Sequence, residues 1–270
     1  MSRFGIIHYN APGKNLEEFA DYAQKVGYKY VELAIADIWD ERRETEAQAS
    51  KRAVEVRSLL EKRNLQVSVL SAANDFVMQE SGVVQTEIKR MKTVCHLARL
   101  LGTDVIRTEG GQPKKHIPKE LWADAISSCL KKLKGFVEDE GYYLAVDNHG
   151  LVTNDIDLQL RILEEVNSPN IGANFDTMNY RWFGYELSQL HQVYARIAPH
   201  VLHTHLKDGI GTRGSYQGCA LGRGEIDLVF AVKCLKDVGY EGVWCVEYEG
   251  SDPVGGYEES FRWLESHITK

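Results

Sequence analysis

The chain has 270 residues, a formal net charge of −7, a pI of about 5.8 and 43% hydrophobic residues. That length suits one large domain or two small ones, and the apolar fraction is enough for a sizeable core. The acidic balance argues against a basic nucleic-acid surface, and no run of about 18 apolar residues is present to span a membrane.

The first residues, MSRFGIIHYN, read as a strand rather than a signal peptide. Strand-like runs rich in Val, Ile, Tyr and Phe then recur at 4–10, 28–35, 65–72, 104–111, 142–150, 171–177, 200–208 and 242–250. Amphipathic stretches lie between them. The first, 15–27, has Asn15 as N-cap and Gly27 just past its end. Helices follow at 47–63, 86–102, 119–141, 155–166, 186–197, 227–239 and 257–268. Asn154, Asp155 and Asp227 are assigned to helix starts. Eight strand–helix units without a linker or low-complexity tract predict one (β/α)₈ TIM barrel domain over 1–270. An open doubly wound sheet would carry a glycine-rich phosphate loop after its first strand, and HYNAPGKN is not one. The five cysteines have no CxxC spacing, and their odd number fits reduced thiols, so a cytoplasmic location is expected.

In such a barrel the active site lies at the C-terminal ends of the strands. Read there, the runs offer His8, Glu32, Arg107 with Glu109, the AVDNHG cluster Asp147, Asn148 and His149, then Asn174 with Asp176. The last two add His203, His205, Lys207 and Asp208, then Glu247 with Glu249. Side chains two apart share a face, so Asp147 goes with His149, and His203 with His205 and Lys207. Any one of these groups alone reads as a hydrogen-bonded core residue or a helix cap. Asp147, Asp176, His205 and Glu247 on four successive strand ends exceed what capping needs. If all four point inward, the three carboxylates repel and call for a divalent cation such as Mn²⁺, Co²⁺, Mg²⁺ or Zn²⁺.

The pieces AVDNHG, ANFDTMN, HTHLKDG, LGRGEIDL and VEYEG, in this order, resemble the sugar phosphate isomerase/epimerase superfamily, the xylose isomerase-like TIM barrels. The resemblance covers essentially the whole chain. It implies one divalent metal, manganese above the others, held by Asp147, Asp176, His205 and Glu247. Asp147 is a departure, because the superfamily usually has Glu there. Asn179 is another, because several epimerases place a His three residues after the strand-six Asp. The implied partner is a small-molecule carbohydrate, with homo-oligomers common in the superfamily.

The implied chemistry is proton removal next to a carbonyl, giving isomerisation or epimerisation of a sugar or keto-sugar. Asp147 and Glu247 are the acid/base candidates, with His149 as an alternative base. His8, Glu109, Lys207, Asn179 and Arg223 are candidate substrate contacts. A lyase or dehydratase acting on a keto-sugar or 3-keto-glycoside through His149 is the rival. An endonuclease IV-like nuclease fits poorly with the acidic charge and few histidines. A non-catalytic sugar-binding barrel is the reading left if the metal set is incomplete. The glycine-rich segment 209–224 reads as a mobile or pocket-covering loop.

Overall fold

The computed structural model describes residues 3–268. Eight parallel strands close into a barrel: β1 (Phe4–Ile7), β2 (Tyr30–Ala34), β3 (Gln66–Ser71), β4 (Val105–Glu109), β5 (Tyr143–Asp147), β6 (Ile171–Asp176), β7 (Val201–Leu206) and β10 (Trp244–Val246). A two-stranded antiparallel hairpin, β8 (Asp208–Ile210) and β9 (Gln217–Cys219), interrupts the series after β7. Each of the eight expected runs holds one barrel strand. The strands stop short of the runs at their C-terminal ends, where the polar residues leave the ladder and turn into loops.

The helices are α1 (Leu16–Val26), α2 (Glu46–Glu61), α3 (Ser81–Leu101), α4 (Trp122–Glu140), α5 (Ile156–Val166), α6 (Asn179–Phe183), α7 (Leu187–Ile197), α8 (Leu228–Asp237) and α9 (Pro253–Ile268). In α1 the Asn15 side chain accepts the Glu18 N–H, Phe19, Ala20 and Ala23 face the barrel, and Gly27 takes φ 115° to end the helix. That is the local grammar of a short amphipathic helix. Asp155 and Asp227 cap α5 and α8 as expected. Asn154 does not cap; it is fully buried and donates to the Gly150 carbonyl.

Two helices start earlier than the apolar period suggested. The first turn of α3 has little to bury beyond Val84, so its periodicity becomes readable only where the helix meets its neighbours. Helix α9 opens on Pro253, whose missing N–H costs nothing in a first turn. The short α6 and the hairpin were not anticipated; five residues of helix and three-residue strands carry too little period to read. No helix among the described residues is long and apolar enough to cross a membrane.

Register decides what meets at the mouth. Asp176 on β6 lies opposite His205 on β7, and His205 lies opposite Cys245 on β10, two residues before Glu247. Asp147 on β5 lies opposite Glu109 on one side and Asn174 on the other. Behind β6, the rings of Phe175 and Tyr194 pack edge to face at 5.1 Å, and the Tyr194 hydroxyl donates to the Thr177 carbonyl. This buried aromatic brace holds the β6 end firmly where its carboxylate emerges.

Candidate active site

Asp176, His205 and Glu247 offer ligand atoms that all lie within 4.8 Å of one another. His205 Nδ1 is 3.0 Å from Glu247 Oε2, and its Nε2 is 2.6 Å from Glu32 Oε2 on the opposite side of the ring. Asp176 Oδ1 accepts the backbone N–H groups of Met178 and Asn179. Asn148 clamps the same residue by accepting the Asp176 N–H and donating to its carbonyl. What remains uncommitted is informative. Asp176 Oδ2 and His205 Nδ1 are buried without a hydrogen-bond partner. Buried polar atoms are rarely left so. Two carboxylate oxygens and one imidazole nitrogen converging on one point fit a divalent cation. The Glu32 carboxylate then holds the far side of the ring, as carboxylates do for metal-bound histidines.

Asp147 is not part of that cluster. Its Oδ2 lies 2.5 Å from Arg107 Nη1, and its Oδ1 accepts a 2.6 Å hydrogen bond from Asn174 Nδ2. Arg107 also reaches Glu32 Oε1 at 2.8 Å through Nε and donates to the Ser71 hydroxyl. The physical reason is the short aspartate arm together with a guanidinium on the neighbouring strand. The structure therefore brings three of the four expected ligands together and pairs Asp147 with Arg107 instead. Cys245 is a second neighbour of His205, but burial raises its thiol well above the ordinary range, which disfavours a ligating thiolate.

Charge balance follows from these contacts among the protein groups alone. Burial pushes the Glu32 carboxyl up, yet His205 and Arg107 outweigh it and hold it below the ordinary value. Burial acts likewise on Asp147, where Arg107 and then His205 prevail and lower it. For Asp176 burial wins and pushes the carboxyl up to about 7. Burial would lower His205, but Glu32 and Glu247 between them push it up to about 10. A cation at Nδ1 would take the place of that proton. His203, one layer down against Asn174, is pushed by burial to about 3 and is neutral. Lys207 and His205 hold Glu247 well below its usual range.

A cavity of about 370 Å³ reaches the cluster at Glu247 and is lined also by His8, Glu32, Arg107, Glu109, His149 and Glu249. That volume suits one small ligand. His8 stacks on Phe19, and its Nδ1 lies 3.0 Å from Asp37 Oδ1. His149 is half exposed, with Nδ1 3.8 Å from Asp147. Lys207 and Asn179 are buried outside the cavity's lining, joined by a 3.3 Å hydrogen bond. Arg223 is not brought to the site; it is 69% exposed and pairs with Glu259.

Within HLKDG and LGRGEID, Asp208 and the glycines play a structural part. The buried Asp208 carboxylate accepts backbone N–H groups from Gly209, Gly222, Gly224 and Ile226, pinning the segment after the hairpin. A Cβ on Gly224 would sit 2.1 Å from Asp208 Oδ1, so only glycine fits there. Segment 209–224 is thus partly a tethered hairpin rather than one loose loop. Arg107 and Glu32 were visible at strand ends, but their partnership was not. A charged residue inside an apolar strand such as VIRTE is the signal that a buried partner awaits it.

The profile of the xylose isomerase-like TIM barrel family matches residues 20–267 of this chain. An uncharacterised protein of Methanocaldococcus jannaschii is 25% identical over 162 residues, 56% of this chain; the match spans about half of that relative, 54% of its length. The inosose isomerase of Bacillus velezensis is 22% identical over 240 residues, covering 86% of this chain and 83% of the relative. Among solved structures, the IolI protein with a bound zinc atom superposes with a TM-score of 0.78 at 18% identity, covering 99% of this chain and 100% of that one.

Proposed function

Because the chain belongs to the xylose isomerase-like TIM barrel family, we propose that it is a divalent-metal-dependent isomerase or epimerase of a sugar or keto-sugar. The observation that carries the reading is the Asp176–His205–Glu247 triplet, with two uncommitted buried atoms beside a cavity of ligand size. The names of the Bacillus velezensis relative and of the zinc-bound IolI structure point the same way.

A divalent cation held by the triplet, manganese first among the choices, would act as a Lewis acid toward a carbonyl and its adjacent hydroxyl. Glu32 accepts the His205 Nε2–H and so keeps Nδ1 turned to the cluster. Glu247 and His149 both face the cavity, so one can take the proton beside the carbonyl and the other return it. Return to the neighbouring carbon gives isomerisation; return to the opposite face gives epimerisation. Asp147 has both oxygens engaged and is assigned to holding Arg107 rather than to proton transfer. His8, its Nδ1 fixed by Asp37, and Glu109 are assigned to substrate hydroxyls.

The half-exposed His149 ring supports a second reading. If the substrate carries a leaving group beyond the acidic carbon, an imidazole there can protonate the departing oxygen, giving a lyase. Metal analysis of chelator-free protein, followed by a screen of ketoses and 3-keto-glycosides in deuterated water, tests both. Deuterium incorporation into an isomer or epimer supports the first reading, and an unsaturated product the second. No metal, and no stabilisation by any added metal, sinks the enzyme reading as stated.

A further inference from the structure

Lys207 follows β7 and is almost fully buried, at 4% exposure. Its Nζ lies 2.8 Å from Glu249 Oε2, 3.3 Å from Asn179 Oδ1, 3.4 Å from Glu247 Oε1 and 3.7 Å from Asp176 Oδ2. Two of the three donors suited to a divalent cation therefore already have a positive charge beside them. Arg107 does not take that place, because it is committed to Glu32, Asp147 and Ser71.

The four distances are graded in a telling way. The ammonium is tight on Glu249, which lies outside the triplet, and loose on Asp176, whose Oδ2 gains no hydrogen bond from it. Glu249 lines the cavity. The Tyr216 hydroxyl on the hairpin is also buried with no partner, and it interacts electrostatically with both Lys207 and Glu249. Two cations close together on shared carboxylates repel strongly in a buried site.

We propose that Lys207 is the resident counter-ion of the cluster, and that binding of a divalent metal is an exchange in which its ammonium is drawn off Asp176 and Glu247 and retained by Glu249 and Asn179. The inference rests on the metal reading given above. It assigns Glu249 a positioning role, as the anchor that makes the exchange affordable.

Manganese titration of the full-length, chelator-treated protein tests this by calorimetry, with the melting temperature of the metal-free protein measured in parallel. Lys207→Met is expected to bind Mn²⁺ at least about tenfold more tightly while its metal-free form melts lower. Glu249→Gln is expected to bind at least about tenfold more weakly, and far more weakly than Glu109→Gln, which removes the same charge from the same cavity without touching Lys207. The decisive arm is the double variant, in which Glu249→Gln should change affinity by less than about twofold once Lys207 is Met. Additive effects, equal losses for Glu249→Gln and Glu109→Gln, or unchanged binding by Lys207→Met overturn the exchange while leaving the metal reading intact. If Lys207→Met does not fold, the Glu249 and Glu109 comparison decides alone. Failure of wild type and every variant to bind Mn²⁺ overturns the metal reading, and the exchange with it.

Discussion

The two sides of the barrel mouth are built from the same kinds of residue and end in opposite states. On the β4–β5 side, Arg107 joins Glu32 to Asp147, and Asn174 takes the remaining Asp147 oxygen. The charges are paired there, although Glu32 Oε1 and Arg107 Nε meet as an ion pair without hydrogen-bond geometry. On the β6–β10 side, Asp176 and His205 keep uncommitted atoms turned toward Glu247. The difference shows that a carboxylate at a strand end is only an invitation; the neighbouring strand decides whether it becomes scaffold or ligand. Glu32 belongs to both sides, pairing with Arg107 through one oxygen and with His205 through the other.

The comparison breaks most visibly if a ligand is removed from the open side. His205→Ala and Glu247→Gln are each expected to lower metal affinity by more than about a hundredfold, with activity lost in parallel, as read by metal content and calorimetry. Removing the closing charge from the other side should act on stability instead. Arg107→Met leaves Glu32 and Asp147 buried without their guanidinium and is expected to cost about 3–5 kcal/mol in denaturant unfolding. Glu32→Gln sharpens the link between the two sides. With its hold on His205 weakened, metal affinity should fall by about 10–100-fold while the barrel stays folded.

Asp147→Asn is the finer discriminator. If Asp147 is scaffold, the variant loses stability but shifts metal affinity by less than about threefold, whereas a true ligand would behave like Glu247→Gln. The smallest effect is expected at Arg223. It pairs with Glu259 at the surface, so Arg223→Ala should change stability by no more than about 0.5 kcal/mol and leave substrate KM unmoved. A raised KM there would place the hairpin's far end in the substrate path.

The sequence by itself determined the architecture. Alternating strand and helix periods, with Asn15, Asp155 and Asp227 as caps and Gly27 as a stop, are local signals, and local signals survive without neighbours. It also determined which strand ends carry chemistry, because polar residues terminating apolar runs stand out in one dimension. Asp147, Asp176, His205 and Glu247 were singled out in this way, and the resemblance to a known family named the same four. What the tertiary structure alone decided is how those ends are paired. Glu32 and His205 are 173 residues apart, and Arg107 meets Asp147 across 40. Their partnership depends on barrel register and on one methylene of arm length, neither of which leaves a periodic trace. The place of Lys207 among four acceptors was equally invisible, since the face it shares with His205 marks it for the pocket without saying which acids it meets. Charges at the mouth are set by distance in space, and only the closed barrel fixes those distances.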